Sequence, residues 1–337
     1  MARNDAFNIN DNLGDNMNLL SEKKHLNNIL KSKRANIYYL EYCKVLQNGG
    51  RVEYLTQEKD KQAYYNIPIA NTTVVLLGNG TSITQAAVRM LASAGVMIGF
   101  CGGGGSPLFA GNEVEFVSPQ SEYRPTEYVQ KWLSFWFKPE KRLEVAKHFQ
   151  NIRLENIKRI WSNCDFYQNA GIYTDDQEIE AVLNRFEKDI NNAASVQNLL
   201  EIEGRTTKGI YKYIARTVNY GEFSRDEKKS DPANIFLNHG NYLAYGLAAT
   251  ALWTLGIPHS FAVMHGKTRR GALVFDVADL FKDAVVLPTA FICAQEGYTN
   301  QAFREKLMDM IVDEYEILEG MIESIKEVCN KFGEEII

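Results

Sequence analysis

Residues 272–288 read "ALVFDVADLFKDAVVLP", and the reading of this run decides the fold. Taken as a helix, it sets Asp276, Asp279 and Asp283 at i, i+3 and i+7 on one face. Leu273, Val274, Phe275, Val277, Leu280, Phe281, Val285 and Val286 cover the remaining faces. A helix that is apolar on most sides is buried, so other helices must surround it. Burying an isolated carboxylate costs several kcal/mol. These acids must therefore be met by bases, by a helix N-terminus or by a metal. The metal-free alternative makes Asp276 a helix cap and Asp279 the partner of an arginine.

The sequence on either side supports a helical environment. From Ala233 to His265 there is no Asp, Glu, Lys or Arg. That length can span a bilayer, but Asn234, Asn238, His239, Gly240, Asn241, Gly256 and Pro258 fall within it. It reads as a buried helix followed by a turn, capped by Asp231, opened by Pro232 and ended at Gly256. Apolar spacings of three and four also mark helices in "TEYVQKWLSFWF" (126–137), "EKRLEVAKHFQNIRLENIKRIW" (140–161), "SVQNLLEIEGRTTKGIYKYIART" (195–217) and "FREKLMDMIVDEYEILEGMIESIKEVCNKF" (303–332).

The first third has a different pattern. "ANIYYLEYCKVL" (35–46), "RVEYLT" (51–56) and "TTVVLLG" (72–78) are rich in Tyr, Val, Ile and Leu, with "QNGG" (47–50) as a turn signal. "TSITQAAVRMLASAG" (81–95) reads as a helix capped by Thr81 or Ser82 and ended by Gly95. "VMIGF" (96–100) returns to strand, and "CGGGGSPLFAG" (101–111) reads as a loop. "SPQSEYRP" (118–125) marks the change to helical periodicity. The expectation is an α+β chain in three parts: a frayed, Asn- and Asp-rich terminus over 1–25, a β-rich domain over 26–118, and a larger all-α domain over 119–337.

Composition narrows the chemistry. The chain has 337 residues and a formal net charge of −5, which gives no global signature of nucleic-acid binding. The charge is uneven, however. From Arg205 to Arg270 ten Lys/Arg face four Asp/Glu, whereas from Asn300 onward four Lys/Arg face ten Asp/Glu. A polyanion meets the local field rather than the average. The five cysteines, Cys43, Cys101, Cys164, Cys293 and Cys329, form no CxxC pair, so neither a disulfide framework nor a zinc site is expected. That usage fits a reducing cytoplasm, and no N-terminal signal pattern is present.

Two further features stand beside the buried acids. His265 ends the uncharged stretch and opens "HGKTRRG" (265–271), a glycine-rich basic turn able to approach a phosphate. Glu203 lies among Leu200, Ile202 and Ile210, on a helix whose Arg205, Lys208, Lys212 and Arg216 form a basic stripe. A solvated helix face is the plainer reading of that stripe. Together Glu203, His265, Asp276 and Asp279 offer carboxylate oxygens and one imidazole, a set better suited to Mg²⁺ or Mn²⁺ than to zinc. A basic stripe beside such a site points to a phosphodiester substrate. Arg205, Lys208, Lys212, Arg269 and Arg270 are the candidate phosphate contacts, on charge placement alone.

Two readings from other classes compete. "LLGNGTSIT" (76–84) resembles a nucleotide-binding turn, but it lacks the third glycine, and no acidic residue ends the following strand. A non-catalytic DNA-binding scaffold would pair its acids with Arg269 or Arg270.

Long ordered blocks carry a resemblance. They are "SKRANIYYLEYCKVLQNGGRVEYLT", "LLGNGTSITQAAVRMLASAGVMIGFCGGGGSPLF", "SPQSEYRPTEY", "DPANIFLNHGNYLAYGLAATALWTLGIPH" and "HGKTRRGALVFDVADLFKD". Over about residues 30–290 the sequence resembles the CRISPR-associated adaptation integrase and endonuclease family, in its subtype I-F branch. The resemblance implies a sandwich-like N-terminal β-domain with one helix, used for dimerisation, and an α-helical catalytic domain with one metal site. It places the metal ligands on Glu203, His265 and Asp279, with Asp276 as a supporting acid. It implies cleavage and strand transfer on double-stranded DNA, the prespacer and the CRISPR repeat, by attack of a 3′-hydroxyl. It also implies a homodimer, and a small adaptation partner fused to a helicase–nuclease.

Overall fold

The computed structural model describes residues 36–58, 61–101, 108–109, 112–113, 115–117, 126–226, 231–266, 271–311 and 315–334. The frayed terminus expected over 1–25 and the domain change expected over 118–125 lie outside the described residues. The chain divides into two compact units, Met1–Arg124 and Pro125–Ile337.

The first unit contains β1 (Asn36–Leu40), β2 (Lys44–Asn48), β3 (Arg51–Glu58), β4 (Lys61–Ile67), β5 (Thr72–Leu77), β6 (Ser82–Ile83), α1 (Gln85–Ser93), β7 (Met97–Phe100), β8 (Leu108–Phe109), β9 (Asn112–Glu113) and β10 (Glu115–Val117). One four-stranded sheet has the order β1-β5-β7-β10 and a second has β4-β3-β2-β6. Gly49 and Gly50 join β2 to β3 in a two-residue turn, with φ of 53° and 83°. Both central positions of that turn need positive φ, which is why glycines occupy them. Tyr42, at φ 50°, breaks the run 35–46 and sends its halves into different sheets.

Tyr38, Leu40, Val75, Leu77 and Ile98 from the first sheet share one buried cluster with Val45, Val52, Tyr54 and Ile67 from the second. Ala87 and Leu91 of α1 join it, giving the sandwich-like arrangement with one helix. The expected cap of α1 is corrected. Thr84 caps the helix through Ala87 N at 3.3 Å. Ser82 is held in β6 by pairing with Lys44, and Thr81 donates to the Leu40 and Gly78 carbonyls. Strand pairing therefore delays the helix start. Gly95 does leave the helix in the left-handed region, at φ 76°.

The described part of the second unit is helical: α2 (Glu127–Trp136), α3 (Pro139–Trp161), α4 (Asp165–Asn169), α5 (Gln177–Asn192), α6 (Val196–Thr217), α7 (Pro232–Leu255), α8 (Ala272–Phe281), a π-helical turn (Lys282–Val286), α9 (Leu287–Gln295), α10 (Asn300–Asp309) and α11 (Ile317–Phe332). The uncharged stretch is α7, capped by Asp231 through Asn234 N and ended by Gly256 at φ 72°. Small residues let neighbours come close. A Cβ on Gly240 would lie 2.4 Å from Val286 Cγ1. Among the described residues no helix is long and apolar enough to cross a membrane, and all five cysteines are buried and free.

Two helices expected to be continuous are interrupted. The 272–288 run passes through the π-helical turn, for which Pro288 gives a reason. A proline has no N–H for the carbonyl four residues back, and its ring crowds that carbonyl. The carbonyl is that of Ala284, and it accepts Trp161 Nε1 at 3.1 Å instead. The 303–332 run is two helices, α10 and α11, with Glu316 left-handed at φ 45° where α11 starts.

Candidate metal centre

Three parts of the helical unit supply the site. Glu203 stands on α6, Asp276 and Asp279 on α8, and His265 on the turn between α7 and α8. The turn is held from both sides. Trp132 Nε1 donates to the Phe261 carbonyl at 3.0 Å, and Trp136 Nε1 to the Ala262 carbonyl at 2.8 Å. On the other side the Asp276 carboxylate accepts the backbone N–H groups of Val263 (2.7 Å), Met264 (3.1 Å) and His265 (3.2 Å).

Asp276 also orients the imidazole, with Oδ1 2.7 Å from His265 Nδ1. An ionised carboxylate only accepts, so Nδ1 carries the hydrogen and the neutral ring keeps its lone pair on Nε2. Nε2 faces Glu203 Oε2 at 3.8 Å and Asp279 Oδ2 at 4.0 Å. One ligand atom from each of Glu203, His265 and Asp279 lies within 4.8 Å of the others. Oxygen and nitrogen ligands about 2.1 Å from one cation can be about 4.2 Å apart at most. The set therefore closes on an ion with shifts of a few tenths of an ångström.

The metal-free expectation is corrected in two details. Asp276 lies within α8 and caps the preceding turn, whereas the N-cap of its own helix is Gly271. Among the described residues Asp279 pairs with Lys282, Nζ to Oδ1 at 2.5 Å, and with no arginine. Each of the two facing carboxylates gives one oxygen to a protein cation. Arg153 Nη1 takes Glu203 Oε1 at 2.9 Å, which leaves Oε2 toward the imidazole. Arg153 also binds Asp283 through Nε at 2.9 Å and through Nη2, so the third acid of the α8 run is turned to another partner. Among the described residues, Glu203, Asp276, Asp279 and Asp283 thus face two fixed cations, Arg153 and Lys282, and the titratable His265. With the ring neutral, two negative charges remain in a buried setting, a deficit equal to the charge of one divalent cation.

The local fields bear this out. Burial raises the Glu203 pKa, the Arg153 guanidinium pulls it back, and Asp279 raises it again, for a net rise. Burial opposes ionisation of Asp279, but Lys282 and then Arg153 outweigh it and hold the pKa low. Burial opposes charge on His265, yet its hydrogen bond to Asp276 and the charges of Asp279, Asp276 and Glu203 raise its pKa. Lys282 and Arg153 are held firmly protonated by the same acids, against the pull of burial.

Arg153 and Lys282 were absent from the sequence-based candidates. A signal for Arg153 existed: Gln150, Arg153 and Asn156 recur every third residue on the buried face of α3. The basic stripe on α6 is divided. Arg205 is tied to Asp189 at 2.5 Å and Arg216 to Glu178, both on α5. Lys208 and Lys212 are exposed, with no ion pair among the described residues. Arg269 and Arg270 lie outside the described residues. The "LLGNGTSIT" turn joins β5 to β6, and Gly80 there packs close to Tyr42.

Comparison with known proteins gives the family and the fold. A family profile described as CRISPR associated protein Cas1 matches residues 41–319. Over 317 residues the chain is 52% identical to the CRISPR-associated endonuclease Cas1 of Pectobacterium atrosepticum, covering 92% of this chain and 97% of that protein. It is 53% identical over 312 residues to the one from Pseudomonas aeruginosa, covering 91% and 96%. In fold it is similar to a solved TtCas1–DNA complex, with a TM-score of 0.64 at 22% identity over 87% of this chain and 91% of that one.

Proposed function

Because this chain belongs to the family of CRISPR associated protein Cas1, we propose that Glu203, His265 and Asp279 hold one divalent cation, Mg²⁺ or Mn²⁺, and that Asp276 orients the imidazole. The protein is a CRISPR-adaptation endonuclease and integrase, which inserts new spacer DNA into the array by attack of a DNA 3′-hydroxyl on a phosphodiester. The observation that carries the site assignment is the convergence of one ligand atom each from Glu203, His265 and Asp279 within 4.8 Å of one another, with Glu203 Oε1 on Arg153 and Asp279 Oδ1 in an ion pair with Lys282.

A bound divalent cation would stabilise negative charge developing at the scissile phosphate. The chain's own contribution is orientation. Asp276 fixes the ring and its tautomer, the two tryptophans hold the turn, Lys282 and Arg153 hold the Asp279 pKa low, and Arg153 partly offsets the effect of burial on Glu203. Positioning and electrostatics then supply most of the rate, without a covalent enzyme intermediate.

Double-stranded DNA, as prespacer and CRISPR repeat, is the substrate. Lys208 and Lys212 are the exposed candidates for phosphate contact, with Arg269 and Arg270 of the basic turn. The working unit is a homodimer formed through the β-rich unit, and its partner is the small adaptation protein fused to a helicase–nuclease. The test is joining of a labelled duplex to a supercoiled plasmid carrying the repeat, in Mn²⁺. Glu203→Ala and Asp279→Ala should abolish joining and the Mn²⁺-linked rise in melting temperature. Retention of both by either variant removes that residue from the centre.

A further inference from the structure

The Arg153 side chain is completely engaged. All five of its N–H donors are used: Nε and Nη2 on Asp283, Nη1 on Glu203 Oε1 at 2.9 Å and Gln150 Oε1 at 3.2 Å, and Nη2 on Thr207 Oγ1 at 2.8 Å. The side chain is 3% exposed. A buried cation fixed on every donor is part of a built site. Its location is unusual, because one of its two carboxylate partners is Glu203.

Glu203 therefore bridges two cation positions. Oε2 faces His265 Nε2 at 3.8 Å, and Oε1 accepts from Arg153. The far side of the guanidinium is closed by Asp283. A carboxylate shared between two cations, with further acids on either flank, is the ligand plan of two-metal phosphodiester sites, whose ions lie about 3.5–4 Å apart. Here the second place is filled by the protein itself. A cavity of about 70 Å³ adjoins it, lined by Arg153, Glu203, Thr207, Asn241, Lys282 and Asp283 among others.

We infer that Arg153 is a fixed stand-in for a second metal ion: seated between Glu203 and Asp283, it limits the centre to one exchangeable divalent cation and holds Glu203 to a single free oxygen. The inference rests on the metal-centre reading above. It makes Arg153 a positioning residue, acting on the ion through Glu203. It also separates charge competition from scaffolding. If Arg153 only supported the structure, its loss would loosen the ligands and weaken cation binding. If it occupies a cation's place, removing its charge should strengthen binding or admit another ion.

The experiment is Mn²⁺ titration of the full chain without DNA, by calorimetry for stoichiometry and affinity and by electron paramagnetic resonance for ion–ion coupling. Wild-type protein should bind one uncoupled Mn²⁺ at the centre. Arg153→Gln, which keeps hydrogen-bonding capacity and removes the charge, should bind two, with the broadened spectrum of a coupled pair. The double variant Arg153→Met/Asp283→Leu removes the buried Arg153–Asp283 pair together, so that Asp283 is not stranded and Glu203 alone loses its protein cation. It should bind one ion, at least about threefold tighter, because the repulsion of a nearby cation is gone. One ion at wild-type or weaker affinity in Arg153→Gln overturns the inference, as does the absence of tightening in a folded double variant. Two ions in the wild type also overturn it. A wild type that binds no Mn²⁺ sinks the metal-centre reading, and this inference with it, whereas one ion throughout, with no variant binding it tighter, sinks only the role of Arg153.

Discussion

Asp276→Asn changes one atom in shape and isolates what this acid does. Oδ2 accepts Val263 N at 2.7 Å and Met264 N at 3.1 Å, while Oδ1 accepts His265 N at 3.2 Å and meets His265 Nδ1 at 2.7 Å. Every one of these partners is a donor. In the asparagine variant an NH₂ group must replace one of the two oxygens: in the Oδ2 place it confronts two backbone donors, and in the Oδ1 place it confronts His265 N and drives the ring hydrogen from Nδ1 to Nε2. The residue is 3% exposed, so water offers little relief. At least one buried donor is stranded in either orientation, at a cost of roughly 1–3 kcal/mol. Against a typical total of about 5–15 kcal/mol, that is a large fraction. Urea unfolding followed by circular dichroism measures it. His265→Ala is the control, because it leaves all three backbone N–H groups on Asp276 and should cost far less. Both variants should lose Mn²⁺ binding, the first by releasing the ring and the second by removing it. An Asp276→Asn protein within about 1 kcal/mol of wild type, with Mn²⁺ affinity intact, would refute the reasoning that this carboxylate fixes the turn and the imidazole.

Other outcomes follow from the same structure. Gly240→Ala should destabilise by about 1–3 kcal/mol, read as a lower urea midpoint, since its Cβ would lie 2.4 Å from Val286 Cγ1 and 3.2 Å from Leu307 Cδ2. The Lys208→Ala/Lys212→Ala pair should reduce the slope of log K against log salt for duplex binding by about 1.8. Arg205→Ala should leave that slope unchanged, because Arg205 is already spent on Asp189. Burial drives His259 down to about 4, and burial followed by the Arg304 charge does the same to His239. The unfolded chain takes up protons near pH 6.5 and the folded one does not. The stability this gives is complete above about pH 6.5, and is lost as pH falls toward and through 4. The urea midpoint should therefore drop between pH 7 and pH 5, and His239→Gln/His259→Gln should flatten that dependence.

Short-range chemistry made much of this protein legible without coordinates. Asp231 with Pro232 and Gly256 bound α7 because caps and prolines act on the chain next to them. Gly49 and Gly50 mark the β2–β3 turn because only glycine enters that conformation freely. Asp276, Asp279, His265 and Glu203 could be singled out because acids inside apolar helices need a counter-charge. Tertiary structure alone decided how that charge is balanced. Arg153 lies 50 residues from Glu203 and 130 from Asp283 in sequence, so no local pattern ties them. The same holds for the α6 stripe, where Asp189 and Glu178 neutralise two of four basic residues across a helix interface. Strand pairing shortened α1, and Trp161 met the carbonyl orphaned by Pro288 in the π-helical turn. Sequence fixes which groups must find partners, because burial and backbone chemistry are local demands. Only the packed chain fixes who the partners are, because Coulomb and hydrogen-bond energies depend on distance in space rather than along the chain.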